Sequence, residues 1–259
     1  MKTRTLKLVL EYDGTRYAGW QIQANARTVQ GVIEEAVGKI LHHPARLIAA
    51  GRTDAGVHAT GQVAGFTTSS IMGTERLKRA LNGVLPRDVT VVELEQVRDD
   101  FNARYDARSR TYRYTVAERR LSIGRSYAWH VPYKLDRNLL DASTVCLNGA
   151  CNLRGFSKGN DEDDYSTIIF KNRWIFDGAL SIFEITAVRF FHHAVRSIVG
   201  SAVKVASGRV SPDLLQRILE TRNRKLAGPT APAAGLCLVA VEYGDEHDDT
   251  HENNEAAND

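Results

Sequence analysis

The sequence predicts an α/β chain of the α+β kind, in which two ferredoxin-like halves extend one mixed, mostly antiparallel sheet with a central cleft between them. Three observations predict it. Hydrophobic periodicity gives a β-α-β-β-α-β order between residues 5 and 97, the same order starts again near residue 110, and no Pro-, Gly- or Ser-rich linker separates the two runs. No repeat at the level of sequence accompanies this duplication, which rests on element order alone.

The first half opens with "TLKLVLEY", residues 5–12, whose alternation is that of a strand, followed by the loop "DGTRYAGWQIQANAR". A helix follows over 28–42, because Val29, Ile33, Ala36, Val37 and Ile40 recur at the spacing that puts them on one face. Strands fit 45–50 and 61–68, a helix fits 74–85 with Leu77, Leu81 and Val84 inward, and "DVTVVELEQV" reads as a strand. After "FNARYDARSR" the second half begins with the strand "TYRYTVAE" and a helix over 136–147. Residues 166–189 hold two alternating runs joined at "DGA", a hairpin. A helix over 192–206 carries the stripe Val195, Ile198, Val199, Ala202 and Val203; a shorter helix and the strand "LCLVAVEY" complete the half. The divisions are 1–105, 106–244 and a tail, 245–259.

Composition bounds the function. With 43% hydrophobic and 25% charged residues, the 259-residue chain is of ordinary globular make-up. No apolar run is long enough to span a bilayer, and "MKTRTLKLVLEYDG" runs from charge straight into a strand pattern without a signal-peptide core, so a cytoplasmic location is expected. Cys146, Cys151 and Cys237 show no CxxC or clustered His/Cys spacing, so they read as reduced thiols in or near the core and indicate neither a disulfide framework nor a zinc site. The net charge of +3 conceals an asymmetry: "DEHDDTHENNEAAND" holds seven acids and no Lys or Arg, leaving 34 basic against 24 acidic residues in the rest. Such a tail cannot bury apolar surface and reads as disordered, while a basic body suits a polyanionic partner.

The chemistry concentrates in "AAGRTDAGVHATGQVAGF", residues 49–66. Asp54 lies between two predicted strands, where glycines 51, 56 and 61 permit unusual backbone geometry. Its neighbour Arg52 favours the charged carboxylate, and a charged Asp serves as nucleophile or base; the alternative is a surface ion pair at a turn. Hydrolysis of a sugar bond calls for two carboxylates, and this motif has one. Asp54 and His58 are too few ligands for a metal, and the arginine repels a cation. "RTYRYTV" sets Tyr112 and Tyr114 on one strand face with Arg110 and Arg113 nearby, a pattern that suits RNA by stacking and phosphate contact, although at least one tyrosine reads as core. Arg196 falls at the margin of the last apolar helix stripe, within reach of solvent or a cleft.

The motifs "EYDGTRYAGWQIQ", "AAGRTDAGVHATGQVAGF", "FNARYDARSRTYRY", "FFHHAVRSIVG" and "GLCLVAVEY" occur in one order over residues 5 to 243. In these the chain resembles the tRNA pseudouridine synthase A family. The resemblance implies the pseudouridine synthase fold and the isomerisation of uridine to pseudouridine at positions 38, 39 and 40 in the anticodon stem-loop of tRNA, with no metal and no cofactor. It implies Asp54 as the catalytic carboxylate, acting by covalent attack or by proton removal from the ribose. Tyr112 is implied as the ring that stacks on the target base, Arg52 and Arg196 as arginines that hold the aspartate or the flipped nucleotide, and Leu236 as an apolar wall of the pocket. It further implies a homodimer in which one tRNA touches both subunits. A catalytically inactive RNA-binding protein of the same fold is the alternative, disfavoured because Asp54, Arg52 and Tyr112 occur together.

Overall fold

A computed structural model describes residues 2–160 and 163–244; the acidic tail, 245–259, lies outside the described residues. The first strand, β1 (Arg4–Tyr12), turns Leu6, Leu8, Leu10 and Tyr12 to one face, and all four are buried. Helix α1 (Val29–Leu41) starts where the Thr28 hydroxyl accepts from the Gly31 N–H and ends at His42 in the left-handed region, φ 57°. It lays Val29, Ile33, Ala36 and Val37 on the core. Strands β2 (Ile48–Ala49) and β3 (His58–Thr68), helix α2 (Thr74–Val84) and strand β4 (Val89–Val97) complete the first set. Leu77 and Leu81 of α2 are buried as their spacing predicts, but Val84 is exposed. The helix stops there, and Leu85, already in extended backbone, takes the buried place instead.

The second set comprises β5 (Ala107–Ala117), the two-residue β6 (Trp129–His130), α3 (Arg137–Thr144), β7 (Gly149–Asn152), β8 (Ser166–Asp177), β9 (Leu180–Ala187), α4 (Ala194–Ala206), α5 (Leu214–Thr221) and β10 (Leu236–Tyr243). The sheet order is β4-β1-β3-β10-β5-β9-β8-β7, with β2 on β3 and β6 on β5. In each half the last strand of the predicted pattern lies beside the first and the first beside the third, giving β4-β1-β3-β2 and β10-β5-β9-β8, the two ferredoxin-like orders. Pairing is antiparallel except between β10 and β3 and between β5 and β6.

Between the halves the ladder is short. Cys237 pairs with His58 and Leu238 with Ala59, in parallel. Close approach here depends on Gly61, where a Cβ would stand 2.3 Å from the Val239 carbonyl oxygen. One continuous core cluster runs from Leu6 to Leu238 through both halves, so they pack as a unit.

Candidate active site

Asp54 stands in the turn that leads from β2 into β3. The turn closes through a Val57 N–H to Asp54 carbonyl hydrogen bond of 3.1 Å, and Gly56 supplies the left-handed residue it needs, φ +78°. Of glycines 51 and 61, neither has positive φ; Gly61 serves close packing. The loop after β1 braces this turn: Trp20 N–H donates to the Thr53 carbonyl at 3.0 Å, Gly56 N–H donates to the Tyr17 carbonyl at 3.2 Å, and the hydroxyls of Tyr12 and Thr53 lie 2.8 Å apart. The carboxylate is thus mounted on backbone hydrogen bonds and a buried tyrosine, which fixes its position before any ligand arrives.

Arg196 comes from the first turn of α4. Its Nη1 donates to Asp54 Oδ2 at 2.9 Å and its Nε donates to the Ala231 carbonyl at 2.8 Å, while Ala231 N–H donates back to the Arg196 carbonyl at 3.1 Å. The pairing is a charge-assisted hydrogen bond, the stronger kind. Helix α4 is not amphipathic: only Arg196 and Lys204 are less than fully buried along it. Arg196 therefore points inward to the carboxylate, its side chain 15% exposed, instead of lying at a solvent margin.

Tyr112 lies on β5 between Leu238 of β10 and Ile185 of β9. It is 8% exposed, and the Phe190 ring meets it edge-on with centroids 5.3 Å apart. Burial above all, then the nearby Tyr12 and Asp54 side chains, pushes its hydroxyl above the usual phenol range. Leu236, at the start of β10, is buried and registers with Tyr114, two residues along the same face from Tyr112. Tyr114 is the core residue of the tyrosine pair, fully buried, with its hydroxyl donating to the Pro232 carbonyl at 2.7 Å.

The arginines of that strand are spent elsewhere. Arg110 is buried and donates to the carbonyls of Ala50, Ala107, Val188 and Arg104, and Arg113 pairs with Glu184 at 2.8 Å. Neither supplies the free guanidinium for phosphate that the interleaved pattern suggests. Arg52 is exposed and has no hydrogen bond or ion pair among the described residues, so the cation on Asp54 is Arg196, 142 positions away, and not its near neighbour. His58 also stands apart from Asp54. It is buried, accepting from Gly14 N–H at Nδ1 and facing the Ser126 carbonyl with Nε2 at 3.1 Å, which ties β3 to the loop after β5.

Two residues that sequence reasoning missed reach the carboxylate. His193 Nε2 lies 3.6 Å from Asp54 Oδ2 and His192 Nε2 lies 3.6 Å from Oδ1. The sequence places both inside the expected helix 192–206, whereas α4 begins at Ala194 and leaves them in the turn ahead of it. Together with Asp54 they bring three potential ligand atoms within 4.8 Å of one another. Arg196 is hydrogen-bonded to the same carboxylate, and its charge disfavours a metal cation there. The three cysteines are free and half-buried, and burial pushes the Cys151 thiol up to about 11.

The sheet order, and a lone carboxylate pinned by an arginine next to a buried tyrosine, fit the pseudouridine synthase fold that the motifs lead one to expect. Comparison with known proteins agrees. The tRNA pseudouridine synthase family profile matches residues 8–106 and 145–244. The chain is 40% identical over 243 residues to the tRNA pseudouridine synthase A of Moorella thermoacetica, covering 92% of this chain and 99% of that protein. It is also 40% identical to the tRNA pseudouridine synthase A of Caldicellulosiruptor saccharolyticus, over 93% of this chain and 100% of the relative, and to that of a Methylobacterium species, over 92% and 96%. The chain belongs to the tRNA pseudouridine synthase family.

Proposed function

We propose that the protein isomerises uridine to pseudouridine in tRNA, at positions 38, 39 and 40 of the anticodon stem-loop, with Asp54 as its catalytic carboxylate. The observation that carries this reading is the 2.9 Å pairing of Arg196 with Asp54 in a braced turn beside Tyr112. Cleaving the bond from C1′ to N1, turning the uracil and rejoining it through C5 changes no oxidation state and consumes no water. One carboxylate is enough for it, either by attacking the nucleotide or by taking a proton from the ribose.

Positions 39 and 40 lie in a stem, so the nucleotide must leave the helix to reach Asp54. Unstacking costs a few kcal/mol, and stacking on Tyr112 returns about 1–3 kcal/mol of it. Arg196 holds the carboxylate. Arg52, exposed and uncommitted, takes a phosphate of the flipped nucleotide, and Leu236 keeps the floor of the pocket dry. The chain acts as two halves, 1–105 bearing the Asp54 turn and 106–244 bearing Tyr112 and Arg196, in a cytoplasmic homodimer that needs no cofactor and whose subunits share one tRNA.

Release of tritium from C5-labelled uridine in tRNA tests the reaction, and mapping pseudouridines in tRNA from cells with and without the gene tests the positions. Tight tRNA binding without tritium release would make the protein an inactive RNA binder. Loss of modification outside the anticodon stem-loop would overturn the substrate assignment while leaving the chemistry in place.

A further inference from the structure

His193 holds a backbone conformation that non-glycine residues seldom adopt, φ 67°, at the N-cap of α4. A residue there commonly uses its side chain to cap the helix, yet the His193 side chain caps nothing; only its carbonyl takes part, accepting from Ser197 N–H at 2.9 Å. The strained backbone instead aims the imidazole at Asp54 Oδ2, 3.6 Å away. His192 packs against it with ring centroids 4.0 Å apart and presents Nε2 to the other carboxylate oxygen at the same 3.6 Å. Both distances are too long for hydrogen bonds, so Asp54 has one strong partner, Arg196, and two imidazoles in waiting.

We propose that His193, with His192 packed on it, is a positioning residue that sets the reactivity of Asp54: the neutral imidazoles leave the carboxylate free to react, and a protonated imidazole closes on it and stops the reaction. The inference rests on the functional reading above. Its physical basis is competition for lone pairs. With both imidazoles neutral, Arg196 takes one direction on Oδ2 and leaves Oδ1 free to act as nucleophile or base. An imidazolium adds a second charge-assisted donor, which stabilises the carboxylate ground state and makes it a poorer nucleophile.

The groups that face His193 set where this happens. They are Asp54 from the turn before β3, Arg196 from α4, His192 beside it, and Lys158 from the loop before β8. Burial lowers the His193 titration, Asp54 opposes that, and His192, Arg196 and Lys158 lower it further, so it falls below the ordinary histidine range. The neutral, permissive form thus prevails at neutral pH.

The test is single-turnover pseudouridine formation on an unmodified tRNA transcript between pH 5 and pH 9, with tRNA affinity measured at each pH. Asn is the replacement of choice because it tolerates the left-handed region that position 193 requires. Wild type should lose rate about tenfold per pH unit below a midpoint that lies under the ordinary histidine range, with affinity unchanged or improved. His193→Asn should move that midpoint by about one unit or abolish the limb, and His192→Asn should shift it less. The same limb in both variants would overturn the proposal. A readout independent of activity is the NMR titration of the His193 ring: in Asp54→Asn its midpoint should fall, because the anion that raised it is gone. An unchanged midpoint would also overturn the proposal. If wild type forms no pseudouridine at any pH, the functional reading falls and the reactivity claim with it, while the NMR titration still decides whether residues 193 and 54 are coupled.

Discussion

Nη1 of Arg196 stands 2.9 Å from Oδ2 of Asp54, across 142 residues of chain and from the opposite half of the sheet. Asp54 rides on the entrance to β3 and Arg196 on the first turn of α4, so the pair exists only when both halves are folded and docked.

Asp54→Asn should remove turnover and spare the fold. The amide keeps the size and one acceptor of the carboxylate but is neither a nucleophile nor a useful base. Nucleoside analysis of treated tRNA should find pseudouridine at background, with thermal melting and tRNA affinity close to wild type. Formation well above background would remove Asp54 from the chemistry, and loss of folding would make the pair with Arg196 structural.

Arg196→Lys keeps the charge but cannot both reach the carboxylate and bond the Ala231 carbonyl. A hydrogen bond to a charged group contributes about 1.5–3 kcal/mol, so the rate should fall by about 10-fold to 150-fold. Single-turnover rates at saturating tRNA check it. A rate within about twofold of wild type would show that a simple cation is enough at this position.

The proposed function gives Tyr112 two separable roles. Tyr112→Phe preserves the ring, so tRNA binding should survive, whereas Tyr112→Leu should lose it. If the hydroxyl moves a proton, Phe should also lose about 10²-fold or more in rate at normal affinity. Should Leu lower only the melting temperature, with an unchanged rate per folded molecule, the ring is part of the core and does not stack on substrate.

Gly200→Ala tests the mount of the arginine. A Cβ at 200 would lie 1.8 Å from the Pro229 carbonyl oxygen, a backbone atom that cannot swing aside. Overpacking of this kind costs about 1–3 kcal/mol or more. The displaced segment includes Ala231, which holds Arg196 through two hydrogen bonds, so rate per folded molecule should fall along with stability. A drop in melting temperature alone would separate the packing from the site.

His58 makes stability depend on pH. Burial lowers its titration, outweighing Asp13, whose Oδ1 lies 3.2 Å from Nδ1, and the Ser126 carbonyl, while the Tyr127 ring packs 4.9 Å away. The folded protein keeps His58 neutral at pH values where the unfolded chain, titrating near about 6.5, already takes up a proton. The unfolded state then binds more protons, so this contribution is full above about pH 6.5 and is lost as pH falls below it. Urea midpoints at pH 7.5 and pH 5.5 should differ more in wild type than in His58→Asn; equal differences would clear His58.

Much of this was legible in the sequence, because alternation and helical spacing report which face is buried. The runs at 5–12, 28–42 and 236–243 became β1, α1 and β10 with little change. The limits of β2 and β3 were not legible. The expected strands at 45–50 and 61–68 became Ile48–Ala49 and His58–Thr68, since pairing with β1 and β10 decides where a ladder begins and periodicity does not. The short β6 and β7 gave no signal, having too few residues for any period to show. In the candidate site, Asp54, Tyr112 and Arg196, which the fold brings near one another, were singled out by motifs. The histidines at 192 and 193 were not, because what distinguishes them is the direction imposed by one left-handed residue, and direction is not written in residue type.

The strand that joins the two halves is the last one among the described residues. While the ribosome is still at work, the edge of β3 that will receive Cys237 and Leu238 stands open, and Asp54 waits for an arginine not yet made. At 5–20 residues per second the wait is on the order of ten seconds. A nascent or prematurely terminated chain therefore carries the carboxylate without its arginine, and its open edge is a surface that calls for a chaperone's cover.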